Sequence, residues 1–234
     1  MSECGANYNR LNDEIRSLCK DAGRDESECT LIAVSKTKPV DLIKDAYAAG
    51  CRDFGENYVQ ELVDKIHQLP GDIRWHMIGH LQTNKVKYIV GKTYLIHSVD
   101  SIKLAREIGK ISVKNGVISD ILLEVNVAKE ESKFGFLPEE LEGAVREMSS
   151  IEGISIRGLM TSAPICDDPE ENRVYFRNMK QLSIDIKKQN IDNIHMDILS
   201  MGMSGDYETA VQEGASYVRI GTAIFGARDY SDHK

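Results

Sequence analysis

Leu31-Ile32-Ala33-Val34-Ser35-Lys36-Thr37-Lys38-Pro39 sets four apolar residues just before a lysine and then reaches a proline able to open a helix. The run predicts a short buried strand over 31–36, and Pro39 suits a first helical position because its missing N–H would be unpaired there anyway. A two-residue period puts Ile32, Val34 and Lys36 on one side of that strand. A lysine aligned with core residues at a strand's end is partly desolvated. Desolvation lowers an amine's pKa and makes its neutral, nucleophilic form accessible. The plainer alternative is a strand-end lysine that reaches water along its aliphatic stem. The surrounding chain decides between them.

Upstream, Tyr8, Leu11, Ile15 and Leu18 fall at helical spacing and predict an amphipathic helix ending near Gly23. Downstream, strands and helices alternate. Further strands are expected at about 51–55, 74–79, 94–97, 120–125, 154–158, 193–198 and 217–220. Helices are expected between them, at about 40–47, 59–66, 81–90, 102–113, 138–149, 169–188 and 206–213. Strict alternation means parallel strands, since each helix must cross back over the sheet. Eight such units in 234 residues match an α/β (β/α)8 TIM barrel with an extra N-terminal helix. The competing architecture is an open doubly wound sheet, which for dinucleotides carries GxGxxG after its first strand; this chain has Ser35-Lys36-Thr37-Lys38-Pro39 there. No linker or low-complexity stretch interrupts the pattern, so residues 1–234 are expected to form a single domain.

The chain is 41% hydrophobic, enough for one large core, and its formal charge is −8. That charge argues against a nucleic-acid or anionic-membrane binder, since counterion release needs a basic face. A local positive pocket for a small anion remains compatible with it. Cys4, Cys19, Cys29, Cys51 and Cys166 form no CxxC pair and read as scattered thiols of a reducing compartment. Residues 1–10 contain no apolar leader and no run is long enough to span a bilayer, so the expected location is the cytoplasm.

In such a barrel the chemistry sits at the C-terminal ends of the strands. Two of those ends look built for a phosphate: Ser200-Met201-Gly202-Met203-Ser204-Gly205 and Arg219-Ile220-Gly221-Thr222. Glycines let backbone approach an anion, hydroxyls donate to it, and a helix N-terminus adds free N–H groups. Ser and Gly are also routine at helix starts, but both loops lie where this fold usually holds a phosphate. Asp206 stands against that reading if its carboxylate points inward. Arg219 is either a salt-bridged structural residue or a ligand-facing one. Asn57 and His80 are further strand-end candidates that a helix cap or a satisfied histidine would explain equally well. His76 and His80 lie about 13 Å apart along a strand, too far to share a zinc, and no HExxH occurs, so no metal is expected. Gly91-Lys92-Thr93 ends like a P-loop but lacks its first glycine and reverses the order of elements.

Ala33 to Pro39, Phe54-Gly55-Glu56-Asn57-Tyr58-Val59-Gln60-Glu61, Trp75 to Lys85, Lys133-Phe134-Gly135-Phe136, Gly158 to Thr161, Ser200 to Ser204 and Val218 to Gly226 together resemble the pyridoxal phosphate homeostasis protein family. The resemblance runs in order from about residue 31 to 226, and the family is related to the N-terminal domain of alanine racemase. It implies a barrel holding pyridoxal 5′-phosphate as an internal aldimine. By motif position Lys36 is the Schiff-base lysine, and Ser200, Ser204, Gly221 and Thr222 fall where the phosphate is held. Arg219 falls where an arginine faces the pyridine nitrogen; Asn57 and His80 complete the expected cofactor site. No catalytic residue is assigned.

Two functions compete. One is a carrier or reservoir of the cofactor in vitamin B6 and amino-acid homeostasis, acting as a monomer and delivering to apo-enzymes that depend on pyridoxal phosphate. The other is an amino-acid racemase. Racemisation on this cofactor needs an acid/base on each face of the substrate, and alanine racemases complete theirs with a further C-terminal domain. The chain ends at Lys234, which favours the carrier. A Schiff-base aldolase on a sugar phosphate, without the cofactor, ranks third.

Overall fold

The computed structural model describes residues 2–227. Eight strands, β1 (Thr30–Val34), β2 (Asp53–Glu56), β3 (Arg74–Met77), β4 (Leu95–Val99), β5 (Ser119–Glu124), β6 (Ile154–Met160), β7 (Ile194–Met203) and β8 (Tyr217–Ile220), form a closed barrel in sequence order. Every pair is parallel, and β8 returns to β1 with Ile32 opposite Arg219. The expected TIM barrel is present.

Around it lie α1 (Glu3–Asp21), α2 (Val40–Ala48), α3 (Val59–Ile66), α4 (Ile102–Lys114), α5 (Leu141–Met148), α6 (Arg173–Lys187), α7 (Tyr207–Gln212) and α8 (Thr222–Phe225). The extra helix α1 starts at Ser2, whose hydroxyl accepts from the Gly5 N–H at 3.2 Å. It buries Leu11, Ile15 and Cys19 and lies across the seam between the first and last units. There Asn7 Nδ2 donates to Ile224 O at 3.3 Å and Tyr207 OH to Glu14 Oε1 at 2.7 Å.

Alternation along each strand separates two environments. Leu31, Ala33, Phe54, Met77, Ile96, Ile121, Leu123 and Ile156 face the helices and join one continuous buried layer with Ile43, Leu62, Leu104 and Phe176. The other parity faces the lumen, where the register sets Val34 beside Gly55, Gly55 beside His76 and His76 beside Leu95. Leu95, Leu122 and Met160 form an apolar cluster there, with Ile198 and Tyr217 packed against it.

Four expectations are corrected. The strand expected over 31–36 ends at Val34, and Lys36 lies in the turn beyond it that the Lys38 N–H closes on Ser35 O. The helix expected at 81–90 is a short 3-10 turn, Thr83–Tyr88, holding Val86 in the core. A 3-10 helix rises about 2.0 Å per residue against about 1.5 Å for an α-helix, so it carries a short crossover further per residue. The long helix expected from 169 opens with a 3-10 turn, Pro169–Asn172, before α6 begins. Strand β7 continues past residue 198 to Met203, because the ladder to β8 persists through Ser200 opposite Tyr217 and Met203 opposite Arg219.

Candidate functional site

A cavity of about 340 Å3 opens at the C-terminal mouth of the barrel. It falls in the range of roughly 300–1,000 Å3 typical of small-molecule sites. Lys36, Asn57, Ser204, Arg219, Gly221 and Thr222 line it together, as do Met203 and Gly205 of the stretch expected to hold a phosphate, and Lys38 and Ser162, which were not singled out as site residues. Lys38 carried a signal, since it lies two residues beyond Lys36 on the same loop. The Thr222 and Ser204 hydroxyls stand 3.4 Å apart at one end of the cavity. Gly221 lies close enough to β1 that an added Cβ would sit 3.1 Å from Val34 O. Gly79 presses the loop after β3 onto the loop after β2: a Cβ there would lie 2.4 Å from Asn57 O, which no side chain tolerates without movement. Asn57 Oδ1, held by that contact, is buried with no hydrogen-bond partner among the described residues.

Two expected residues lie outside the cavity. His80 is on the outer rim, with Nδ1 at 3.1 Å from Asp100 Oδ2 and its ring stacked on Phe134 at 3.9 Å between centroids. Ser200 is fully buried inside the barrel wall, because β7 extends beyond it. The loop after β7 therefore begins at Ser204. The helices after these loops, α7 and α8, are six and four residues long. Hydroxyls, backbone N–H groups and nearby cations, rather than a long helix dipole, are what the cavity offers an anion. Asp206 turns away from the cavity: its Oδ1 accepts from Met203 N–H at 2.7 Å and its Oδ2 from Asn172 Nδ2 at 2.9 Å.

Ser200 instead belongs to a chain of buried side chains running down the lumen. Arg219 Nη1 donates to Ser200 Oγ at 2.7 Å, and Nη2 to Thr161 O at 2.8 Å. Ser200 Oγ lies 2.9 Å from His97 Nδ1, His97 Nε2 lies 2.9 Å from His76 Nδ1, and His76 Nε2 lies 3.1 Å from Asp53 Oδ1. Arg74 Nε donates to the same Asp53 oxygen at 2.7 Å. Burial raises the Asp53 pKa, but the bonds from Arg74 and His76 outweigh it and hold the group below its ordinary value. Burial pushes both histidines down, His97 well below its usual value, so each ring is neutral and carries one proton. The ends then fix the tautomers. Asp53 accepts, so His76 donates through Nε2 and accepts at Nδ1; His97 donates through Nε2; Ser200 donates to His97 Nδ1 and accepts from Arg219. Every donor points from Arg219 toward Asp53.

That line anchors one guanidinium at the cavity floor. Burial draws the Arg219 pKa down to about 10, opposed by the charges of Asp206 and Glu124, so it stays a cation at neutral pH. Glu124, on β5, is raised to about 7 by burial and by Asp100, against the pull of Arg219 and Lys133.

The Alanine racemase, N-terminal domain family matches residues 7–229 of the chain. The pyridoxal phosphate homeostasis protein of Aquifex aeolicus is 44% identical over 231 residues, covering 98% of this chain and 100% of that protein. The protein of the same name from Pseudomonas aeruginosa is 39% identical, with 98% of each covered. Among solved structures, PipY of Synechococcus elongatus with PLP bound superposes with a TM-score of 0.79 at 36% identity, covering 91% of this chain and 100% of that one. An alanine racemase of Clostridium difficile superposes over 95% of this chain and 57% of its own length, with a TM-score of 0.74 at 17% identity, which speaks for the fold alone. A closed parallel barrel whose lysine, arginine and two hydroxyls meet in one mouth cavity, together with these near-full-length likenesses, gives the assignment: the chain belongs to the pyridoxal phosphate homeostasis proteins, within the alanine racemase N-terminal domain family.

Proposed function

We propose that this chain binds pyridoxal 5′-phosphate as a Schiff base on Lys36 and acts as a carrier and reservoir of the cofactor, handing it to apo-enzymes that depend on it. The cofactor, when bound, supplies an aldehyde that condenses with an amine, releasing one water, and a ring that withdraws electrons. The residues fit such a group. The Ser204 and Thr222 hydroxyls and the approachable backbone at Gly205 and Gly221 suit a phosphate, and Lys36 lines the same cavity. Asn57 Oδ1 leaves a buried acceptor unused. Arg219, a cation on the cavity floor, offers a fixed proton donor to a ring nitrogen. That keeps the nitrogen unprotonated and weakens the ring as an electron sink.

The observation that carries the carrier reading is the make-up of the lining. Among the described residues its titratable side chains are Lys36, Lys38 and Arg219. The Lys38 amine is engaged by the carbonyls of Phe225, Gly226 and Ala227 at 3.1, 3.0 and 2.7 Å. Racemisation needs a proton donor or acceptor on each face of the substrate. Lys36 would serve one face; among the described residues Lys38 is engaged elsewhere and Arg219 is a fixed cation, which leaves no lining group to serve the second.

The test is the absorbance spectrum of the protein loaded with pyridoxal 5′-phosphate, before and after L-alanine. A band near about 420 nm that borohydride abolishes, with the added mass on Lys36 and no D-alanine formed, is the expected result. Accumulation of D-alanine would make the protein a racemase. Absence of any band would overturn cofactor binding on Lys36.

A further inference from the structure

Two lysines, Lys36 and Lys38, line one cavity and sit in one tight turn. The turn is closed by the Lys38 N–H donating to Ser35 O at 3.0 Å, and Thr37 between them has φ 61°. A β-branched residue does not hold a left-handed backbone unaided. Something outside the turn must fix it, and must also decide which amine is offered. We propose that Lys65, acting with Glu56 and Glu61, is the positioning group that locks this turn, so that Lys36 rather than Lys38 is the amine presented to the ligand.

The contacts converge on one atom. Lys65 Nζ donates to Ser35 O at 2.7 Å, the carbonyl that closes the turn, to Glu56 Oε1 at 2.7 Å and to Glu61 Oε1 at 2.6 Å. Those three acceptors use all three ammonium donors. The two carboxylates pass the restraint on: Glu61 Oε1 accepts from the Thr37 N–H at 2.6 Å, and Glu56 Oε1 accepts from Ser35 Oγ at 2.6 Å. The backbone on both sides of Lys36 is thus tied to a single ammonium.

Lys65 is 4% exposed and Glu56 is fully buried, and neither lines the cavity, so they act through the turn alone. Burying an ion pair is a poor route to stability when an apolar residue of similar size would fill the same space. What the pair gives here is geometry that an apolar residue cannot supply. Lys38, meanwhile, is drawn to the three carbonyls after α8. The brace therefore holds one lysine toward the ligand while the end of the barrel holds the other away.

This inference rests on Lys36 as the point of attachment, and its test separates the two. The full chain is mixed with pyridoxal 5′-phosphate and the rate of band formation followed. Borohydride then reduces the C=N link to a stable C–N bond, and peptide mass spectrometry gives the partition between Lys36 and Lys38. The parent is expected to carry the adduct on Lys36. Lys65→Met and Glu61→Ala are expected to slow capture at Lys36 about tenfold, equivalent to about 1.4 kcal/mol, with the Lys38 share rising. Circular dichroism and melting temperature identify folded variants; Glu61 is partly exposed, so Glu61→Ala provides the result if Lys65→Met does not fold. Adding Thr37→Gly to Glu61→Ala should restore capture at Lys36, because glycine adopts positive φ without the steric penalty a β-branched residue meets there. A loss of general stability would not be repaired that way. Folded variants that match the parent in rate and in site, or a glycine that restores nothing, would overturn the brace while leaving Lys36 as the anchor. An adduct absent from Lys36 in the parent would overturn the anchor itself.

Discussion

The two faces of the same eight strands carry opposite chemistry. Outward, Phe54, Met77, Ile121 and Leu123 pack against the helices in one apolar layer. Inward, the lumen runs Asp53, His76, His97, Ser200, Arg219, beside an apolar cluster of Leu95, Leu122 and Met160. Barrels of this class usually fill the lumen with branched aliphatic residues. Here the lumen shares its space between an apolar cluster and this polar line, which holds a cation in a fixed orientation. Alternation along a strand makes the two tasks separable: one parity keeps the barrel folded and the other sets the field beneath the cavity.

The sharpest way to break that separation is to damage each face in turn. Phe176→Ala on α6, where the ring is fully buried in the outer layer, should cost about 3–5 kcal/mol in chemical denaturation. Under native conditions it should leave ligand affinity unchanged. His97→Leu in the lumen should cost about 2–3 kcal/mol, because Ser200 and His76 each lose a buried partner. It should also weaken binding of pyridoxal 5′-phosphate, measured by titration of the absorbance band, since Arg219 loses the line that orients it. Equal binding losses in both variants would dissolve the distinction.

A pH series sharpens it further. Glu56 is raised to about 7, by burial first and by Glu61, against the pull of Lys65 and Ser35. A carboxyl with a raised folded pKa adds stability that is complete below its unfolded pKa and lost as pH rises through the folded one. His76 and His97 are depressed, so their contribution runs the other way: it is lost as pH falls below their unfolded pKa. Glu56→Gln removes one side of that opposition. Relative to the parent, the variant should gain stability as pH rises from about 4.5 to about 7, by at most about 1.4 kcal/mol per pH unit. Denaturant midpoints that track the parent across the range would show that Glu56 does not titrate as its burial implies. The smallest effect is expected far from either face: Ser2→Ala removes the α1 cap and should cost about 1 kcal/mol with no change at the cavity.

Much of this was legible in the order of residues. Strict alternation of strands and helices pointed to the barrel, because it is a local periodicity; the strand expected over 31–36 ends at Val34, so Lys36 reaches the cavity from the turn after β1 and not by strand parity. Ser200 was misplaced into a loop, since Ser-Met-Gly-Met reads as a turn and the pairing with β6 and β8 keeps it in the sheet. The contact of His76 with His97 depends on register between two strands, which neither strand encodes alone. Lys65 was invisible for a similar reason. On its helix it reads as a solvated charge, and its burial follows from where the turn of Ser35 and Thr37 lands. His80 was drawn to the cavity by its strand-end position; the stack with Phe134 holds it on the rim.

The closure of β8 on β1 also has a kinetic meaning. The contacts that complete the mouth join the ends of the barrel: Asn7 to Ile224 across 217 residues, Lys38 to Phe225 across 187, and Ile32 beside Arg219. Pairings at such separation carry the largest loop-closure entropy and form late. On a ribosome the amine of Lys36 is made early, while the floor and far wall of its cavity do not exist until the eighth strand has emerged. A growing chain can therefore fold much of its outer layer and still be unable to capture a ligand until its eighth strand has left the ribosome.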